Sequence, residues 1–250
     1  MTLLGLSNNV IVNILNNAFH NLPVLRTLLL DHNKITTFSI LDSTFSQLQS
    51  LEILQLGYNA LHAINGNWFQ DMRSLLTLQM EGNLIARLQP DTFGFSNLKN
   101  LETLDLSGNL IAYIARDSFH SLPRLRRLDL SRNRLRSAPD VFSSLYWLSN
   151  LNLVLNQWNC TCELWELSSF LSSYQQMPGK ELYNSRQLVC LSAANLAIQN
   201  VLNLTEANCM PPNENTTKLG IKDRISMQQY IQDISLAATL FFAGKMLGSL

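Results

Sequence analysis

Along residues 1–158 the chain repeats one pattern, with leucine or an apolar substitute at places one, four, six and eleven, and asparagine at place nine. The copies read MTLLGLSNNVI from Met1, LRTLLLDHNKI from Leu25, LEILQLGYNAL from Leu51 and LLTLQMEGNLI from Leu75. They continue as LETLDLSGNLI from Leu101, LRRLDLSRNRL from Leu125 and LSNLNLVLNQW from Leu148. Places four and six alternate with period two, which predicts a short strand whose leucines point into a shared core. The asparagine follows where the chain turns out of that strand. Its amide can serve backbone groups of adjacent turns that would otherwise be buried unpaired.

The frame asparagines are Asn9, Asn33, Asn59, Asn83, Asn109, Asn133 and Asn156, spaced by 24, 26, 24, 26, 24 and 23 residues. A phenylalanine recurs on the return path, at Phe19, Phe45, Phe69, Phe93, Phe119 and Phe142, and predicts a stacked spine behind the strands. The two 26-residue copies place their extra residues before Phe45 and after Phe93, on the return side, where insertions become loops. One such unit cannot bury its own apolar face, so each must be stabilised by its neighbours. Frame and period resemble the leucine-rich-repeat family, whose units run to roughly 20–29 residues. The resemblance implies an α/β fold, a curved solenoid with short parallel strands on its concave face.

After Asn156 the repeat stops, and Cys160, Cys162, Cys190 and Cys209 follow. Cysteines one residue apart suit a metal site, a redox pair or a disulfide framework. Cys160 and Cys162 share one short extended segment, so a bond between them would be strained and each needs a separate partner. A structural zinc site typically takes C-x₂₋₄-C with a second close pair, and Cys190 and Cys209 lie far apart. A redox role calls for C-x-x-C, which is absent. The C-x-C directly after the last repeat, with two later cysteines, resembles the C-terminal cysteine cap of extracellular leucine-rich-repeat proteins. Gln157 stands where that cap usually has proline. Of the three pairings four cysteines allow, the resemblance implies Cys160–Cys190 and Cys162–Cys209, with residues 159–210 as the cap.

A cap must cover the leucines of the last repeat. Leu164, Leu167, Phe170 and Leu171 fall at helical spacing and predict a short helix with an apolar face to lay there. Trp158, at the last inward place, is expected beneath it. Three glycosylation sequons, at Asn159, Asn203 and Asn215, agree with an oxidising compartment, Asn159 least well because its middle residue is a cap cysteine.

Beyond a linker at 211–220, residues 221–250 read as one helix ending in an apolar run, Ile234 to Leu250. At 1.5 Å per residue that run spans about 25 Å, short of a hydrocarbon core of roughly 30 Å, and it contains Lys245. A truncated single-pass membrane anchor, a packing or amphipathic helix and a lipid-anchor signal compete for it. The first residues show no basic n-region or other mark of a secretory leader, and Met1 already occupies the first leucine place of a repeat, with no N-terminal cap in this sequence. The expectation is a fragment or short form of a longer membrane receptor-like protein.

Composition narrows the functional classes. Lysine plus arginine and aspartate plus glutamate both number 18, which argues against a nucleic-acid partner. No nucleophile–base pair, phosphate loop or metal motif is apparent, so neither an enzymatic role nor a cofactor is expected. The concave face of a curved solenoid is the default binding surface. Its outward places select Asp31, His32, Gln55, Tyr58, Gln79, Glu81, Arg127 and Arg132 as candidate ligand contacts. The segment PRLRRLDLSRNRLR also concentrates Arg124, Arg126, Arg127, Arg132, Arg134 and Arg136 against Asp129. Arg126 and Arg127 are expected on the concave side, and the whole reads as a basic ridge for a glycosaminoglycan or acidic partner. The sequence therefore reads as an extracellular protein-binding module of a cell-surface receptor or adhesion-like protein. A secreted matrix-type module using the ridge is the alternative. A cytosolic repeat scaffold would leave the cysteine cap unexplained.

Overall fold

The computed structural model describes residues 1–193 except 43 and 46, residues 198–205 and residue 209. Seven repeats each contribute one strand of three residues: β1 (Leu3–Gly5), β2 (Thr27–Leu29), β3 (Ile53–Gln55), β4 (Thr77–Gln79), β6 (Thr103–Asp105), β8 (Arg127–Asp129) and β9 (Asn150–Asn152). They form one parallel sheet in which place four always faces place four, as Leu78 faces Leu104 and Leu104 faces Leu128. Two further short strands on the return path, β5 (Arg87–Leu88) and β7 (Tyr113–Ile114), pair with each other.

The frame leucines and the return phenylalanines form one continuous core. Each interior asparagine ties two repeats together. Asn109 donates to the Met80 and Leu106 carbonyls at 3.0 and 3.1 Å and accepts from the Ile85 amide at 3.1 Å. Asn83 and Asn133 repeat the arrangement one turn to either side. The phenylalanine rings stack between Phe19 and Phe45, from Phe93 through Phe119 to Phe142, and on into the cap at Phe170. Phe69 instead meets Trp68 edge-on, and the Trp68 indole donates to the Ile40 carbonyl across the longer second repeat. The first repeat is the thinnest part of the core, with Leu4, Leu6 and Ile11 only partly buried.

The cap begins with β10 (Asn159–Cys160), which pairs with β12 (Ser192–Ala193), and with the disulfides Cys160–Cys190 and Cys162–Cys209. Its helix, α1 (Trp165–Gln176), buries Leu167, Ser168, Leu171 and Tyr174, and Trp158 is buried in the last layer. The cap also supplies an element the repeat pattern does not announce. Strand β11 (Glu181–Leu182) pairs in parallel with β9 and extends the repeat sheet to eight strands. No helix among the described residues is long and apolar enough to cross a membrane. The linker at 211–220 and the helix expected at 221–250 lie outside the described residues.

Candidate functional site

The outward side chains of the strands, and the turn that follows each strand, make the candidate binding face. Place eight of the frame lies in the left-handed region in every repeat: Asn8, His32, Tyr58, Gly82, Gly108, Arg132 and Leu155 all have φ between 52° and 66°. Glycine enters this region freely, whereas other L-residues are strained there by roughly 1–2 kcal/mol. His32, Tyr58, Arg132 and Leu155 nevertheless occupy it and present exposed side chains along one rim. Costs of this kind concentrate at functional positions.

Toward the N-terminal end, Asp31, His32 and Tyr58 form one group. The His32 Nδ1 lies 2.9 Å from the Asp31 carboxylate, and its ring stacks on Tyr58 at 4.4 Å. The Tyr58 ring in turn lies across Gly82, where a Cβ would come within 2.6 Å of it. Burial raises the Asp31 pKa, but hydrogen bonds from Ser7 and His32 outweigh it and hold the carboxyl below its usual range. Gln55 donates to Gln79 at 2.6 Å beside this group.

Glu81 folds over Gly57, where an added Cβ would come within 2.6 Å of its carboxylate and displace it. One carboxylate oxygen is buried without a hydrogen-bond partner among the described residues. Burial, with the nearby charges of Asp105 and Asp31, raises its pKa. Asp105 is likewise raised, by burial and by Asp129, although its carboxylate accepts from the Ser107 amide at 2.8 Å. The middle of the face is therefore acidic and only partly compensated.

At the C-terminal end the face deepens into a recess of about 870 Å³. Asp105, Asp129 and Asn152 line its floor, and the Asn152 amide donates to Asp129 at 2.7 Å. Arg127 and Arg132 flank it, and Tyr183, Asn184 and Gln187 of the cap form its end wall. Of the eight sequence-selected contacts, Tyr58, Arg127 and Arg132 line this recess. Asp31, His32, Gln55, Gln79 and Glu81 lie further along the sheet in earlier repeats. The cap residues Glu181, Tyr183, Asn184 and Gln187 were not anticipated. Only β11, which continues the strand register past Asn150, brings them to this face.

The structure corrects the basic ridge. Arg126 does not line the recess with Arg127. It turns to the opening edge of the strands, 3.8 Å from Glu102 and over the Trp147 ring at 5.7 Å. Arg124, bonded to Asn100 at 2.9 Å, lies on the same edge. Arg132 occupies the opposite rim, and Arg134 and Arg136 are exposed beyond it. The six arginines are spread from the entry edge, across the strand at Arg127, to the opposite rim, and do not form a single ridge. Successive side chains along a strand change face, and the turns at its two ends carry the flanking places to opposite edges, so adjacency in sequence here disperses charge.

Of the sequons, Asn159 is half-buried in β10, with its side-chain oxygen accepting from Ser192 at 2.7 Å. Asn203 is exposed at the end of a short helical turn, Val201–Asn203. Asn215 lies outside the described residues.

Residues 37–85, 87–135 and 99–158 match the family model described as Leucine rich repeat. Leucine-rich repeat-containing protein 53 of Homo sapiens is 45% identical over 248 residues, 98% of this chain and 20% of that protein. The protein of the same name from Macaca fascicularis is 46% identical over 118 residues, 46% of this chain and 23% of that protein. Keratocan of Mus musculus is 38% identical over 136 residues, 54% of this chain and 38% of that protein. The chain thus spans well under half the length of these curated relatives. The repeat register, the family match and the two cap disulfides converge: the chain is a leucine-rich-repeat protein with a C-terminal cysteine cap.

Proposed function

We propose that the chain is an extracellular, non-enzymatic binding module that takes a protein ligand on its concave face, within a cell-surface receptor or adhesion-like protein. The observation that carries this reading is the recess at the C-terminal end of the sheet. There a carboxylate and amide floor, two flanking arginines and an exposed cap tyrosine converge on one surface. Polar groups around an aromatic anchor are what a specific protein interface requires. The exposed, conformationally strained place-eight side chains favour the same face. Two disulfides in one small cap favour an oxidising compartment, because such bonds are rare where thiols are kept reduced. The receptor-like reading draws on the apolar sequence from Ile234 to Leu250, and glycans on Asn203 and Asn215 fit the same location.

The test is binding of the secreted, tetramerised chain to a panel of intact cells. Arg127→Glu with Tyr183→Ala changes two exposed residues of the recess and is expected to reduce binding at least tenfold. Arg87→Glu with Tyr113→Ala makes the same chemical change on the return-side strands β5 and β7 and is expected to leave binding intact. Equal loss in both variants, or none in the recess variant, refutes the concave site.

A further inference from the structure

A second surface, independent of the concave face, runs along the edge where the chain enters the strands. The residues just before the fourth and fifth repeats place Arg73 and Lys99 there, both exposed. Arg124 and Arg126 follow at the sixth repeat, Tyr146 and Trp147 at the seventh, and Lys180 just before β11. Successive strands lie about 4.8 Å apart, so these groups form a line and not a cluster.

Two of these cations, Arg124 and Lys180, are held in place by neutral acceptors. The Asn100 amide donates to the Arg73 carbonyl at 2.9 Å and its oxygen accepts from Arg124 at 2.9 Å. The Lys180 ammonium donates to the Tyr146 carbonyl at 3.1 Å and to the Leu148 carbonyl. Such partners position a cation without cancelling its charge. Glu102 opposes Arg126, at 3.8 Å. Two large aromatic side chains share the edge: Tyr146 is 84% exposed and Trp147 60% exposed. Neither contributes to the core, and the Arg126 guanidinium lies over the Trp147 ring. Because the chain as a whole is neutral, this stripe is a local concentration and not part of a general basic excess.

The geometry points to this edge, from Arg73 to Lys180, as a binding surface for a linear sulfated glycan. The arginines and lysines would meet successive sulfate groups, and the faces of Tyr146 and Trp147 would meet sugar rings. A line of cations carried on successive turns fits a polymer carrying repeated anionic groups. Exposed aromatic faces between the cations fit the apolar faces of sugar rings, which a simple acidic peptide lacks. Attraction of this kind weakens with salt, since the Debye length falls from about 10 Å at 0.1 M to about 3 Å at 1 M.

The probe is heparin immobilised on a sensor surface, with the full chain in solution near 0.15 M salt. Chemically desulfated heparin and polyglutamate serve as competitors. A triple variant of this edge, Lys99→Ser, Arg124→Ser and Arg126→Ser, is compared with Arg132→Ser, Arg134→Ser and Arg136→Ser on the opposite side. Both remove three charges, so net charge alone cannot separate them. Retention is expected for the wild type, with at least tenfold weaker binding for the first triple and less than threefold for the second. Trp147→Ala is expected to weaken binding threefold or more. Non-reducing peptide mapping establishes that each variant has both disulfides. Absence of wild-type retention, equal loss in the two triples, an unchanged Trp147→Ala, or competition by polyglutamate or desulfated heparin as strong as by heparin each overturns the assignment.

Discussion

Replacing Asn109 by alanine tests how the repeats are joined. The Asn109 side chain holds the Ile85 amide of the preceding repeat and donates to the Met80 and Leu106 carbonyls. The carbonyls do not lose everything. Met80 still accepts from Asn83 at 3.0 Å, and Leu106 still accepts from Asn133 at 2.9 Å. The Ile85 amide has no such reserve and is left buried and unsatisfied. An orphaned buried donor costs about 1–3 kcal/mol, and each net hydrogen bond lost about 0.5–1.5 kcal/mol. Allowing for the second partner of each carbonyl, the variant should lose about 3 kcal/mol. For a domain of this size that corresponds to a fall in Tm of roughly 6–12 °C.

Asn9 supplies the internal control, because it occupies the same frame place in the first repeat. It is exposed and donates to the Leu6 and Ser7 carbonyls at 3.0 Å. Asn9→Ala should therefore cost less than about 1 kcal/mol. Denaturant unfolding followed by circular dichroism measures both variants. Equal costs at the two positions, or a loss below 0.5 kcal/mol for Asn109→Ala, would refute the reasoning.

Three further outcomes follow from the same geometry. Gly82 combines a φ of 66° with the Tyr58 ring over its Cα, so Gly82→Ala should destabilise by about 1–2 kcal/mol and reduce the Tyr58–His32 stacking seen in aromatic NMR shifts. Glu81 and Asp105 hold protons more tightly in the folded chain than in the unfolded one. Their opposition to folding is therefore full at neutral pH and is relieved as pH falls through their raised pKa values toward the ordinary carboxylate range. Asp31, lowered in the fold, acts in the opposite sense, and its contribution is lost only at still lower pH. Glu81→Gln should raise stability at pH 7 and flatten its rise on acidification, as measured by denaturant midpoints between pH 7 and pH 4. The Tyr174 hydroxyl is buried without a partner among the described residues, and burial with the Glu181 charge pushes its pKa up to about 12. Tyr174→Phe should therefore be neutral or stabilising by up to about 1 kcal/mol in the same unfolding assay.

The repeats were legible because their signal is redundant. Each leucine column and each asparagine is restated in seven copies, so the strands, their register and the interior ladder follow from periodicity alone. The cap helix was legible through the spacing of Leu164, Leu167 and Leu171, all of them buried in the structure. Strand β11 was not, because Glu181–Leu182 is two residues long and becomes a strand only through pairing with β9. That single omission hid the end wall of the recess, since Tyr183, Asn184 and Gln187 belong to the binding face only when β11 is in the sheet. The placement of Arg126 was missed for a different reason. The frame specifies which places face inward, but an outward side chain can turn to either edge of a strand, and Arg126 turned toward Glu102 and Trp147.

The claim on which the extracellular reading rests is that the cysteines after the last repeat close a disulfide cap. Non-reducing peptide mapping of the chain recovered from its native location tests it most directly. Cross-linked peptides joining Cys160 to Cys190 and Cys162 to Cys209, with no free thiol, are the expected result. Four free thiols, or a pairing that joins Cys160 to Cys209, would contradict it.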